Sequence, residues 1–173
     1  MRRAAVYRRA GAGGRGGPIG LGAAAMAEAD GAQVVVADTS PARREHVATR
    51  AGITFYWTRQ PKILTRSYGR SLVVRWRRKL IDATGNGRVM NLSTVNLIRH
   101  GGTVVFVGLF KGELQFSDPE FHKKETTMMG SRNAAPGRSA KVGRLMAEGK
   151  ITADMMLTHR YPFATLAEPT SAM

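Results

Sequence analysis

A glycine-rich turn followed by a carboxylate is the feature of this sequence that could do chemistry. The turn reads Gly17-Pro18-Ile19-Gly20, and a run of small residues leads from it to a β-branched segment that ends at Asp38. Glycines let a backbone approach phosphates without a Cβ in the way, and a helix N-terminus supplies amide donors for a pyrophosphate. An acid at the tip of the next strand can accept hydrogen bonds from ribose hydroxyls. The pattern therefore predicts a dinucleotide-binding site.

The match to the G-x-G-x-x-G fingerprint is incomplete. Gly17 and Gly20 fit its second and third glycines, which places Arg15 where the first belongs. Because the first glycine forms the tight turn out of the preceding strand, Arg15 implies strain or a different path there. Any turn between a strand and a helix can use a glycine, so the glycines alone do not indicate a dinucleotide site. The acid Asp38 at the end of the next strand adds the second feature of such a site.

Strands and helices alternate around this turn. Small residues favour a close-packed helix from Gly20 to Gly31, and the β-branched run favours a buried parallel strand at 33–37. Later strands are predicted at 80–82, 103–109 and 126–129, and later helices at 40–50, 89–99, from 117, and at 139–148. This rhythm predicts the α/β class, a Rossmann-like doubly wound parallel sheet. We expect the sheet to be incomplete, with its first and third strand regions damaged.

Ligands of such sheets bind outside the carboxyl ends of the strands. Five predicted loops fall at those ends, namely Gly17–Gly20, Asp38, Thr84-Gly85, Val107–Leu109 and Ser131-Arg132. Their convergence on one edge supports a ligand site more strongly than any single loop does.

The net charge of +15 suggests a nucleic-acid partner at first, but its distribution argues against one. Residues 1–16 hold five arginines and residues 54–80 hold eight basic residues, with no acid in either stretch, so these two stretches carry 13 of the 15 excess charges. Residues 1–16 show no helix or strand period, and we interpret them as a basic segment without regular structure. Within the second stretch only 71–75 resembles a strand.

Composition excludes other classes. The 173 residues contain no cysteine, so neither a disulfide framework nor a thiolate metal site can form from them. No apolar run is long enough to cross a membrane, and the arginine-rich start lacks the apolar stretch of a secretory signal. We expect a cytoplasmic protein with no membrane partner.

Several segments in order resemble the medium-chain dehydrogenase/reductase family, and in particular its zinc-type sorbitol, galactonate and alcohol dehydrogenases. The segments are GPIGLGAAAMAEADGAQVVVADTSPARRE, IDATGN, LIRHGGTVVFVGL, FSDPEFHKKETTMMGSRNA and LMAEGKI with the later THRYPF. They cover most of residues 17–53 and 81–168. The resemblance implies the cofactor half of such an enzyme, an NAD-binding Rossmann domain over 17–168. Residues 54–80 would be an aberrant basic stretch within this domain, and 169–173 a truncated tail.

The resemblance also implies a role for each matching residue. Gly17, Pro18, Ile19 and Gly20 would lie against the pyrophosphate and adenosine side. Asp38 would hold the ribose, and its charge would repel a 2′-phosphate, so NAD is expected rather than NADP. Arg43 would flank the adenine. The residues that would line the nicotinamide side are Thr84, Gly85, Val107, Gly108 and Leu109, with Ser131 and Arg132 near its phosphate.

The chain departs from the family in its metal chemistry. Members of the family bind zinc through a separate N-terminal domain that also carries the proton relay, and nothing of that kind precedes residue 17. We therefore assign no catalytic and no metal-binding residue. The prediction is the cofactor-binding portion of a zinc-type alcohol or polyol dehydrogenase, which transfers hydride between a secondary alcohol and NAD and is inactive as this chain alone. A family-type homo-oligomer is compatible with this prediction.

Two alternatives stay open on sequence alone, a basic nucleic-acid-binding module and a non-functional gene remnant. Residues 1–16 and 54–80 keep the length but not the character of the family, which suggests out-of-frame translation of a GC-rich gene. Retranslating the encoding DNA tests this hypothesis, and it fails if no frame restores a V-x-V-x-G-x-G strand before Pro18.

Overall fold

The structure is a computed structural model, and it describes residues 2–8, 17–38, 40, 45–46, 49, 54–55, 78–95, 97–157 and 160–163. Its strands are β1 (Arg2–Arg8), β2 (Ala32–Asp38), β3 (Thr54–Phe55), β4 (Lys79–Asp82), β5 (Thr103–Phe106) and β6 (Thr127–Gly130). Its helices are α1 (Gly17–Ala29), α2 (Gly87–Val95), α3 (Asp118–Lys123), α4 (Pro136–Ala147) and a 3-10 turn at Ala153–Met155.

The six strands form one sheet in the order β3-β2-β1-β4-β5-β6. Every neighbouring pair is parallel. The chain starts in the middle of the sheet, builds outward through β2 and β3, and returns to the other side of β1 with β4. The order therefore reverses between β1 and β4, which is the crevice where open parallel sheets bind their ligands.

Both faces of the sheet are covered, as the alternation along β4 shows. Leu80 is fully buried in a cluster with Leu97, Ile98 and Val104. The next residue, Ile81, packs instead against the cluster that joins α1 to β2. Because successive side chains of a strand point to opposite faces, these two clusters lie on opposite faces of the sheet. The predicted doubly wound Rossmann-like fold is confirmed.

Helix α1 packs so closely on the sheet because its inner face is made of small residues. Leu21 and Ala24 lie buried against Val34 and Val36 of β2. On the outer side Ala25 contacts a second layer. The members of that second layer are Leu145 of α4, Ile151 and Met155. Helix α1 is thus held between the sheet and the C-terminal part of the described chain.

The largest difference from the sequence-based expectation lies at the start of the chain. Residues 2–8 form β1, where no regular structure was predicted, and the register pairs the strand with β2 along all of Arg2–Arg8 and with β4 along 4–7. A backbone between two parallel neighbours finds hydrogen-bond partners whatever its side chains are, and this overrides weak strand propensity. Strand β3 lies at the edge of the sheet beside β2 and is described at Thr54–Phe55.

Some predicted features lie outside the described residues. They are most of the helix at 40–50, the strand-like run at 71–75, and the ends at 9–16 and 164–173. Elsewhere the predicted elements recur with bounds moved by a few residues. Within the described ranges, no helix is both long and apolar enough to traverse a lipid bilayer.

Candidate dinucleotide-binding site

The carboxyl ends of five strands meet at one edge of the sheet. In the register, Arg8 lies beside Asp38, and Tyr7 lies beside Asp82. Asp82 in turn pairs with Phe106, and Phe106 pairs with Gly130. The loops that leave these strands start from the same edge, as the sequence predicts. We call this the carboxyl edge.

The tip of β2 presents the predicted acid. Asp38 is the last residue of the strand, and it is 4% exposed. Its Oδ1 accepts a hydrogen bond from the backbone N–H of Ser40 at 2.9 Å. This short turn fixes the carboxylate against the chain that leaves the strand. Arg43, predicted to flank the adenine, lies outside the described residues.

The start of α1 lies after the carboxyl end of β1. Gly17 is the first helical residue, so the helix begins three residues earlier than the small-residue run predicts. Pro18 suits this first turn because proline has no backbone N–H, and the first N–H groups of a helix have no acceptor within the helix. Gly20 is buried, whereas Pro18 and Ile19 are exposed, Ile19 to 48%. Helix α1 therefore presents its N-terminal amides and an apolar side chain next to the crevice.

A chain of hydrogen bonds orders the loop after β4. The Asp82 side chain is fully buried, and its Oδ1 accepts from the Thr84 backbone N–H at 2.9 Å and from the Thr84 hydroxyl at 2.6 Å. The Thr84 Oγ1 accepts from the Asn86 backbone N–H at 3.1 Å. Asn86 in turn caps α2, because its Oδ1 accepts from the Val89 backbone N–H at 3.2 Å. The loop is fixed at both ends by side chains.

The loop after β5 is attached to the same aspartate through the backbone. The Asp82 carbonyl accepts hydrogen bonds from the N–H groups of Val107 at 2.9 Å and of Gly108 at 3.0 Å. Gly85 has a φ of +57°, and a Cβ on it would lie 2.8 Å from the Leu109 carbonyl oxygen. Both the positive φ and the close approach to Leu109 require glycine at position 85. The two loops predicted to line the nicotinamide side therefore contact each other backbone to backbone.

The remaining predicted residues surround this contact. Leu109 is 80% exposed. The Ser131 backbone N–H donates to the Phe106 carbonyl at 2.9 Å, so the loop after β6 is attached to the end of β5. Ser131 and Arg132 are exposed. The structure thus brings every described member of the predicted set to the carboxyl edge, while their contact with a cofactor stays a prediction.

Two residues of this edge were missed by the sequence analysis. Asp82 entered it only as a strand end, and Asn86 only as part of a glycine loop. The spacing could have pointed to both, because Asp, Thr and Asn at alternate positions after a strand favour side chain to backbone turns and a helix cap.

Metal chemistry finds no support in this part of the molecule. Among the described residues, no group of three or more His, Cys, Asp and Glu side chains is placed to hold an ion. The Nε2 of His46 forms a hydrogen bond with the Met155 backbone carbonyl at 3.0 Å. These residues do not fit a zinc site.

Comparison with known proteins identifies the family. The model of the zinc-binding dehydrogenase family matches residues 18–148. The chain belongs to this family. It is 75% identical over 155 residues to L-galactonate-5-dehydrogenase of Escherichia coli K12, a match that covers 88% of the chain and 44% of that protein. It is 30% identical over 154 residues to a sorbitol dehydrogenase of Halalkalibacterium halodurans, with 84% of the chain and 43% of that protein covered.

Two solved structures of proteins that are 21% identical to this chain confirm its fold. A short chain alcohol dehydrogenase of Escherichia coli CFT073, crystallised with NADH, superposes with a TM-score of 0.80 at 21% identity, over 98% of this chain and 48% of that one. An alcohol dehydrogenase of Thermus sp. ATN1 gives a TM-score of 0.77 at 21% identity, over 98% and 47%. The chain spans about half the length of the proteins it matches.

Proposed function

We propose that this chain forms the dinucleotide-binding half of a zinc-type, NAD-dependent alcohol or polyol dehydrogenase. The observation that carries the proposal is the carboxyl edge, where the N-terminus of α1, the carboxylate of Asp38 and the interlocked loops after β4 and β5 lie around the reversal of strand order. Open parallel sheets bind nucleotides at this place. The 75% identical relative is named for a galactonate, and this favours the secondary hydroxyl of a polyhydroxy acid as the substrate group of the whole enzyme.

Each loop has a distinct part in this proposal. The N-terminal amides of α1 bind the pyrophosphate, because orphan N–H groups and the helix dipole favour an anion there. Asp38 accepts hydrogen bonds from the adenosine ribose and disfavours a 2′-phosphate, so the cofactor is NAD rather than NADP. Thr84, Gly85 and the segment 107–109 shape the nicotinamide side. Ser131 and Arg132 lie toward the adjacent phosphate.

Bound NAD supplies the hydride acceptor. In the overall reaction a secondary alcohol loses a hydride to NAD and a proton to solvent, which gives a ketone and NADH. This chain's residues bind and orient the cofactor, and we derive no step through zinc because the described residues do not fit it. The 173 residues by themselves therefore bind NADH but do not turn over an alcohol.

The test is a fluorescence titration of the 173-residue chain with NADH, beside a thermal melt that shows the protein is folded. We expect saturable binding that ADP-ribose displaces, and no NADH formation from NAD and polyols with added zinc. A folded chain that leaves NADH fluorescence unchanged would contradict the proposal. Steeply salt-dependent binding of single-stranded RNA in the same assay, without NADH binding, would favour the nucleic-acid alternative.

A further inference from the structure

We infer that Asp82 is the positioning residue of the nicotinamide side of the site, an inference that rests on the proposed function. Asp82 lies at the end of β4, next to the crevice, and it is fully buried. Its side chain and its backbone carbonyl hold two different loops. Asp82 was not among the predicted site residues, yet it forms hydrogen bonds with both loops that are predicted to line the nicotinamide side.

The side chain of Asp82 shapes the first loop. Its Oδ1 receives two hydrogen bonds from Thr84, one from the backbone and one from the hydroxyl. Hydrogen bonds to a carboxylate are stronger than bonds between neutral groups. Because the Thr84 hydroxyl donates to Asp82, its oxygen is oriented to accept from Asn86. The carboxylate therefore sets both the path of the loop and the start of α2.

The backbone of Asp82 carries the second loop. Its carbonyl oxygen is shared by the N–H groups of Val107 and Gly108. This turns the chain after β5 toward the first loop, where Gly108 lies against Gly85. Any shift of the loop after β4 must move segment 107–109, because their backbones are already in contact. One buried residue thus holds both loops, the first through its carboxylate and the second through its backbone carbonyl.

This arrangement separates the two halves of the dinucleotide. The loops attached to Asp82 lie on the nicotinamide side, whereas Asp38 and α1 serve the adenosine side. A purely structural residue would weaken both halves alike. A positioning residue of this kind affects NADH but spares ADP-ribose, which lacks the nicotinamide.

The experiment compares NADH and ADP-ribose binding to the 173-residue chain and to Asp82→Ala, with Asp82→Asn as the conservative variant. We expect Asp82→Ala to weaken NADH binding by about tenfold, as loss of hydrogen bonds to a buried charged group implies. ADP-ribose binding stays unchanged, and Asp82→Asn recovers most of the NADH affinity, because its amide oxygen can still accept from Thr84. Where Asp82→Ala does not fold, Thr84→Val serves as the second variant. It removes the hydroxyl bond to Asp82 and the acceptor of the Asn86 N–H but keeps the backbone bond from Thr84 to Asp82, so it must show the same selective loss of NADH binding, smaller in size.

The outcomes are distinct. If Asp82→Ala weakens NADH and ADP-ribose binding equally, or weakens neither, the positioning role is overturned. The proposed function is unaffected by that result. An unsubstituted chain that is folded and binds neither ligand overturns the proposed function, and the positioning role with it.

Discussion

The backbone of Gly108 lies directly against the backbone of Gly85. A Cβ placed on Gly108 would lie 2.3 Å from the Gly85 amide nitrogen and 3.0 Å from the Ala83 carbonyl carbon. Real Cβ atoms do not approach backbone that closely, so one of the two loops would have to move. Since both belong to the proposed nicotinamide side, packing and ligand binding are coupled at this contact.

Gly108→Ala is therefore expected to reduce both stability and cofactor binding. Overpacking costs about 1–3 kcal/mol, which lowers the midpoint of thermal unfolding by several degrees, and NADH affinity falls. The matched control is Gly143→Ala in α4, where a Cβ meets nothing within 4 Å and should add about 0.5–1 kcal/mol of stability. Thermal melts and NADH titrations of the two variants check this. Unchanged NADH binding by Gly108→Ala would show that the contact does not matter to the ligand.

Asp38→Asn tests the choice between NAD and NADP. The substitution keeps an Oδ1 that can accept from the Ser40 amide but removes the charge that repels a 2′-phosphate. We expect the ratio of NADPH to NADH dissociation constants to fall by about tenfold, in line with the loss of one charge interaction. Parallel fluorescence titrations with the two cofactors measure the ratio. The control is Asp154→Asn, which changes an exposed acid paired with Arg160 that is not among the predicted site residues, and it should leave the ratio unchanged.

Helix α4 is held by apolar contact rather than by its ion pair. Lys141 Nζ lies 2.6 Å from Asp30 Oδ1, but both side chains are about half exposed, and such pairs contribute about 0–1 kcal/mol. Leu145, four residues on, is 7% exposed among Ala25, Ile151 and Met155. Leu145→Ala should cost about 2–5 kcal/mol, and Lys141→Met under about 1 kcal/mol. Urea unfolding of both variants measures the loss in the free energy of unfolding. Similar losses in the two variants would contradict the larger contribution of the apolar contact.

Two glutamates should respond to pH in opposite directions. Partial burial raises the pKa of Glu28 from 4.5, so the folded chain holds its proton more tightly than the unfolded chain does. Stability from this group is then full at low pH and lost as pH rises through the raised pKa. Glu28→Gln should raise the unfolding midpoint slightly at pH 7, and this gain should disappear below about pH 4.

Glu148 provides the opposite case. The hydrogen bond and charge of Lys150 lower its pKa, with the Lys150 Nζ 2.8 Å from Glu148 Oε2. Its contribution is present at neutral pH and is lost as pH falls through the lowered pKa. Glu148→Gln should therefore lower the midpoint slightly at pH 7 and have no effect in acid. Thermal melts across pH 3–8, an interval chosen to bracket ordinary carboxyl pKa values, compare the two variants, and shifts of the same sign would contradict the assignment.

The fold and most of the candidate site could be predicted from the sequence because both depend on local patterns. A β-branched run favours a buried strand, and the alternation of helices and strands leaves few topologies for a parallel sheet. The loops at 84–85 and 107–109 could be placed at one edge without coordinates, because parallel strands bring all their carboxyl ends together. Asp38 was identifiable for the same reason.

Tertiary structure decided what depends on partners far apart in the chain. Residues 2–8 carry little strand signal of their own, and they form β1 because β2 and β4 offer backbone partners on both sides. Likewise Asp82 reads in the sequence only as a strand end. Its attachment of two loops appears once β4 and β5 lie side by side, since its carbonyl meets Val107 and Gly108 only across the sheet. Local periodicity indicates most of the elements, whereas hydrogen bonds between distant segments decide that β1 forms and how the carboxyl edge is shaped.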